Sequence, residues 1–327
     1  MKCSIAGAGA VGGHLAVKLH AAGHEVSAIA RGPQLAAIRA QGLVLEQAQA
    51  RTVAKVAASD EAHELGAQDV VFVTTKATSL QAMATQLEPL VEDHTTVVFL
   101  QNGMPWWYPV GLPAGRPAPP SLPVFQLADT FLAFLRPEQV LGGVVYSGNE
   151  VVSPGVVRNT SAARNAIELG SIDPASGARV LQVRQLLEAA GFRSPAASDI
   201  RACVWLKLLL NAAGSAIAVA TGSPTAIADD ADVREVFRRV VQECARVAAA
   251  NGYDVSGQLD TEAWTRSRHK ASMLQDFDLG RRMEVDEILL SPVAFARAAS
   301  VSTPTLDAVV AIAARRAADK GLFTPKV

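Results

Sequence analysis

Residues 2–12 read KCSIAGAGAVG, a short apolar strand pattern over Lys2–Ala6 that runs directly into Gly7-Ala8-Gly9-Ala10-Val11-Gly12. A helical pattern, Ala10–Ala22, follows at once and stops at Gly23, a residue favoured just past a helix end. Strand, glycine turn and helix in that order form the dinucleotide-binding fingerprint. Gly7 makes the tight turn, Gly9 lets the backbone approach a pyrophosphate, and Gly12 lets the helix pack on the strand. Ala10 and Val11 open the helix, whose first N–H groups have no partner within it and suit a phosphate.

Outward from this stretch the rhythm continues. Glu25–Ala30 reads as a strand, Gln34–Ala40 as a helix and Leu43–Glu46 as a short strand. Asp69–Thr74 (DVVFVT) and Thr95–Leu100 (TTVVFL) are near-continuous apolar runs, as expected of buried parallel strands, with helical Leu80–Leu90 between them. Residues 139–170 also look like β structure, and from Asp199 the pattern is helical almost to the end. The expected fold is α/β: an N-terminal Rossmann-type doubly wound parallel sheet, residues 1–197, followed by a mostly α-helical domain, residues 198–327. The length, 327 residues, suits two domains.

Composition excludes several classes. Thirty Lys and Arg nearly balance 31 Asp and Glu, so no basic surplus invites nucleic acid or an anionic membrane. Three distant cysteines, Cys3, Cys203 and Cys244, and six histidines without an HxxxH pair argue against a disulfide framework and a metal site. Met1–Gly13 is too short and glycine-broken for a secretory leader. The longest apolar stretch, Val204–Thr221, carries Lys207, Asn211 and Ser215, which a spanning helix tolerates poorly. A cytoplasmic protein is expected.

Cofactor choice is read where the second strand ends. Ala28-Ile29-Ala30-Arg31 has no carboxylate to hold the ribose hydroxyls of NAD. Arg31 can instead pair with the 2′-phosphate of NADP. Lys76, after VVFVTT, is a second cation at the ligand edge of the sheet, or an ordinary solvated charge. Asn102-Gly103 follows the strand Thr95–Leu100. It is either a plain turn or the place where Asn102 hydrogen-bonds the nicotinamide or the substrate.

In the second half, the helical stretch Arg201–Ala220 is apolar nearly all round except Lys207, Asn211 and Ser215. Their i, i+4, i+8 spacing forms one polar stripe. An unpaired buried ammonium is costly, so the stripe reads as the wall of a polar cleft. Ketone reduction needs a hydride and a proton, and a partly buried Lys207 with a lowered pKa is the best general acid in the chain. Ser272, in SMLQ, has the form of a helix capping box, and Glu284 suits a helix N-terminus. Residues 104–123 (MPWWYPVGLPAGRPAPPSLP) break the pattern. Trp106, Trp107 and Tyr108 there either pack an arm on the body or a partner subunit, or form a lid.

These pieces together resemble the ketopantoate reductases over nearly the whole chain. The matching segments are GAGAVG, Arg31, TTKA at 74–77, QNG at 101–103, WLKLLLN at 205–211, SMLQD at 272–276 and ME-VDE at 283–287. The resemblance implies NADPH-dependent reduction of 2-dehydropantoate or a similar 2-keto acid in a cleft between the two domains. It implies Lys207 as general acid and Asn102 near nicotinamide and substrate. Asn211, Ser215 and Ser272 would bind substrate, and Glu284 would order the active site. Ser215 and Leu289-Leu290 stand where the family often has amides, which opens the choice of 2-keto acid. A dehydrogenase of another hydroxy acid or an opine-like compound, and an NADPH-binding sensor without turnover, are the alternatives. The expected partner is the small substrate, with a homodimer as the assembly left open.

Overall fold

A computed structural model describes residues 1–48, 50–161 and 164–325. The chain divides into two compact units. The first comprises Met1–Gln101 with Leu127–Ile200. The second comprises Asn102–Gln126 with Arg201–Val327. Residues 102–126 therefore belong with the helical part, although they lie inside the 1–197 stretch of the sequence reading.

The first unit is built on seven strands: β1 (Lys2–Ala6), β2 (Glu25–Ile29), β5 (Ala57–Ser59), β6 (Val70–Val73), β7 (Thr96–Phe99), β8 (Val140–Tyr146) and β11 (Ala166–Ser171). Their order is β11-β8-β7-β6-β1-β2-β5, parallel except for β11. This is the doubly wound parallel sheet expected, with β1 flanked by β2 and β6. The helices α1 (Ala10–Ala21), α2 (Gly32–Gln41), α3 (Leu80–Leu87), α4 (Leu127–Leu132) and α5 (Gly177–Ala189) complete the unit. Ile5, Phe72, Val98 and Leu141 of the strands share one buried cluster with Leu15 and Leu19 of α1 and Val183 and Leu187 of α5.

A second, four-stranded sheet, order β4-β3-β10-β9, joins β3 (Leu43–Gln47) and β4 (Ala50–Ala54) to β9 (Asn149–Ser153) and β10 (Val156–Asn159). The sequence reading did not include β4 and β5. Both are short, and β4 is exposed at four of its five residues, so neither carries a burial pattern. The helix read over Leu80–Leu90 ends at Leu87, and a tighter turn over Glu88–Leu90 replaces its last residues. Pro89 has no N–H to continue the helix.

The second unit contains α6 (Ile200–Thr221), α7 (Ala226–Asp229), α8 (Ala231–Ala250), α9 (Thr261–Thr265), α10 (Ser272–Asp278), α11 (Ser291–Ala298) and α12 (Pro304–Asp319). Residues 102–126 pack into its core rather than over it. Trp106, Trp107 and Tyr108 are all at most 1% exposed. The Tyr108 ring lies 5.4 Å from Phe295, which in turn sits edge-on 5.1 Å from Trp205. Trp205 Nε1 donates to the Tyr108 hydroxyl at 3.0 Å. Buried Arg201 of α6 donates to the carbonyls of Tyr108 and Val110. A chain poor in aromatics has concentrated them here, where edge-to-face pairs add to burial. By length and composition α6 could cross a bilayer, yet 67% of its apolar window is buried inside the protein, as in a core helix.

Candidate active site

In the first unit each glycine of the turn has a different constraint. Gly7 has φ +105°, and a Cβ there would sit 2.8 Å from the Thr75 nitrogen. A Cβ on Gly12 would overlap the Gly7 carbonyl and the Thr74 hydroxyl, so the helix can approach the strand only without a side chain. Gly9 differs: nothing lies within 4 Å of its Cβ position. The open side of the turn is thus beside the start of α1, where backbone N–H groups are free to meet an anion. The Thr74 hydroxyl donates to the Gly7 carbonyl at 2.7 Å. Gln34 Nε2 donates to the Ala8 carbonyl at 2.6 Å, and Gln34 Oε1 accepts the Gly155 N–H at 2.9 Å. Gln34 therefore ties the turn to the second sheet. No local sequence signal marks this glutamine, because both partners are set by tertiary packing.

Arg31 and Lys76 follow the C-terminal ends of β2 and β6, the two strands that flank β1, so both cations border the glycine turn. Arg31 is exposed and occupies the N-cap position of α2, where its side chain makes no cap hydrogen bond. Lys76 is half-buried. Gln101 Nε2 donates to the carbonyls of Val73 and Thr75, leaving Gln101 Oε1 and Thr75 Oγ1 buried without a hydrogen-bond partner. Buried polar atoms are rarely left unsatisfied, and orphans at a ligand-binding sheet edge fit a polar ligand. The open cradle at Gly9, the two cations and these orphans fit a dinucleotide.

In the second unit, Lys207 Nζ donates to Asn102 Oδ1 at 2.7 Å. Burial pushes the Lys207 amine down from its usual range to about 8, and the charge of Glu284 opposes that fall. Asn211 and Ser215 continue the stripe along α6, Asn211 half-buried and Ser215 buried. Between them, Gly214 leaves space for the Trp264 ring, 3.1 Å from where a Cβ would stand. Glu284 is 8% exposed. It lies two residues before a π-helical turn over Asp286–Leu290 that runs into α11. Such turns recur at functional sites. The Glu287 carbonyl in this turn accepts the Met104 N–H at 2.8 Å and the Ser291 hydroxyl at 2.7 Å.

That contact explains Gly103. Its φ is +81°, and a Cβ would lie 2.6 Å from the Glu287 oxygen. The close approach seats the 102–104 segment on the π turn and brings Asn102 to Lys207. Gly103→Ala is expected to cost roughly 2–3 kcal/mol and lower the melting temperature by roughly 4–10 °C. It should also lower kcat by displacing Asn102. Gly115→Ala, at φ +84° but with nothing within 4 Å, carries the backbone strain without the clash and should cost less. Calorimetry on the two variants separates the contributions.

The capping reading of Ser272 does not hold. The N-cap of α10 is Ala271, Ser272 is already helical, and Gln275 Nε2 donates to the Lys270 carbonyl at 3.0 Å. Ser272 is exposed, free of a capping duty. No cysteine is in a disulfide among the described residues, and burial pushes the Cys3 and Cys244 thiols up to about 12, which makes them poor nucleophiles.

A glycine-turn nucleotide fold and a helical unit with a half-buried lysine hydrogen-bonded to an asparagine fit an α/β oxidoreductase. Residues 3–106 match the family described as ketopantoate reductase PanE/ApbA, and residues 199–317 match its C-terminal family. The chain belongs to the ketopantoate reductase family and is an oxidoreductase acting on a CH–OH group. It is 37% identical to a 2-dehydropantoate 2-reductase of Mesorhizobium japonicum, over 99% of this chain and 100% of that one. A ketopantoate reductase structure from Ralstonia eutropha is 29% identical with a TM-score of 0.80, covering 98% of this chain and all of that one. The fold is also shared with a D-mandelate dehydrogenase at 21% identity and a TM-score of 0.83, covering 99% and 100%.

Proposed function

We propose that the protein reduces 2-dehydropantoate, or a 2-keto acid close to it, to the 2-hydroxy acid with NADPH, in the cytoplasm. The observation that carries this reading is the half-buried Lys207, its amine hydrogen-bonded to Asn102 and brought down to about 8. Gly7, Gly9, Ala10, Val11 and Gly12 would hold the pyrophosphate, and Arg31 and Lys76 the adenosine 2′-phosphate and ribose. NADPH, when bound, would supply the hydride. As negative charge develops on the carbonyl oxygen, the Lys207 ammonium stabilises it and passes it a proton. At neutral pH an amine of this pKa is mostly protonated, so the acid is ready before each turnover.

Asn102 accepts from Lys207 through Oδ1, which leaves its Nδ2 to donate to substrate or nicotinamide. Glu284 keeps the buried amine charged. Asn211, Ser215 and Ser272 would bind the rest of the keto acid. Substrate-dependent oxidation of NADPH and NADH, measured across a panel of 2-keto acids, tests the reading. Ketopantoate with NADPH is expected to give the highest kcat/KM. A higher value for another keto acid would move the substrate and leave the reaction. No turnover with any of them would leave only dinucleotide binding.

A further inference from the structure

Away from the α6 stripe, the second unit holds an open, solvent-facing groove of about 320 Å³ lined by Arg234 and Arg238 of α8, Glu262 and Thr265 of α9, and Arg266 and Arg268 just beyond it. Four guanidinium groups share this hollow with one lining carboxylate. Glu262 divides itself between two of them, Oε1 at 3.0 Å from Arg238 and Oε2 at 3.7 Å from Arg266. Arg268 pairs with neighbouring Asp229 at 2.5 Å. Arg234 is held by its own backbone contacts: Nε donates to the Ile227 carbonyl at 3.2 Å and Nη2 to the Ala228 carbonyl at 2.5 Å. Four positive charges thus meet two negative ones.

Stability does not account for this arrangement. Ion pairs as exposed as these contribute little, and clustering like charges around a hollow is unfavourable. A surplus of two positive charges, on planar groups that can bind oxygen pairs in a fork, matches a phosphoryl dianion. Arg234 is fixed before any ligand arrives, which removes part of the ordering cost of binding. The groove has room for more than a bare phosphate.

We propose that this groove is a second anion site, taking the phosphoryl group of a small phosphorylated metabolite. It is made entirely of second-unit residues and shares none with the glycine turn, Arg31 or Lys76. Arginine labelling by phenylglyoxal, mapped by mass spectrometry on the whole protein at constant ionic strength, tests it. Glycerol 3-phosphate, inorganic phosphate and acetate serve as probes. The expected result is that glycerol 3-phosphate slows labelling of Arg238, Arg266 and Arg268 at least threefold while acetate does not. Equal protection by inorganic phosphate would identify the free ion as the occupant of the same site. Labelling of these arginines that no phosphoryl probe slows would overturn the proposal. Half-buried Arg238 and exposed Arg266 also permit the double variant R238Q/R266Q, in which protection of Arg268 should be lost. Undiminished protection there would equally overturn it.

Discussion

Replacing Lys207 by Ala is expected to lower kcat for 2-keto acid reduction by about 10²–10⁴, the usual contribution of a positioned general acid. Binding of NADPH should survive, because Gly7, Gly9, Gly12, Arg31 and Lys76, proposed to hold its phosphates and ribose, lie in the other unit. The expectation rests on two features of the same amine. It is within hydrogen-bond distance of Asn102, at 2.7 Å, and burial has brought its pKa down to about 8. A lysine left at its ordinary value would hold its proton too firmly to release it readily near neutral pH. Lys207→Arg is the informative companion. Arginine keeps the positive charge and can still stabilise an oxyanion, but its pKa leaves it unable to give up a proton. If Lys207 acts only through its charge, Arg should restore much of the rate. The account expects it to restore little. Single-turnover measurements with saturating NADPH separate the chemical step from binding.

Arg31→Ala is expected to raise the KM for NADPH about tenfold or more, while the KM for NADH changes little. A charge-assisted hydrogen bond contributes about 1.5–3 kcal/mol, and about 1.4 kcal/mol is a factor of ten. The lower end applies because Arg31 is exposed, where solvent and salt weaken the pairing. The selectivity of the effect matters more than its size. A 2′-phosphate is the only part of NADPH that NADH lacks, so a loss felt equally by both cofactors would place Arg31 elsewhere. The penalty should also shrink as ionic strength rises.

Much of the fold was legible because the relevant forces are local. The glycine turn is a steric statement: Gly7 and Gly12 stand where any Cβ meets neighbouring atoms, and Gly9 where none does. The α6 stripe was legible because Lys207, Asn211 and Ser215 are conspicuous in an otherwise apolar helix. Other features depend on contacts far apart in the chain. The aromatics of 104–108 pointed to packing of the stretch 104–123 on the body, but Arg201 reaches the Tyr108 carbonyl across 93 residues, so nothing local said which unit's core they fill. Gln34 likewise braces the glycine turn through a partner 121 residues away. The π turn at Asp286–Leu290 has no sequence signature, yet its Glu287 carbonyl decides why Gly103 is a glycine. Ser272 shows the opposite error. Its spacing to Gln275 fits a capping box, but Gln275 turns to Lys270 instead. Spacing alone does not say which of two competing acceptors wins.

The dependence of kcat/KM on pH, with NADPH and ketopantoate, bears most directly on the proton source. With the protonated amine as the proposed active form, and burial lowering its pKa, activity should hold through neutrality and fall as pH rises through about 8. In Glu284→Gln the charge that opposes the fall is gone, and the alkaline limb should move to lower pH. A profile flat to pH 10, or one that Glu284→Gln leaves in place, would contradict Lys207 as the donor.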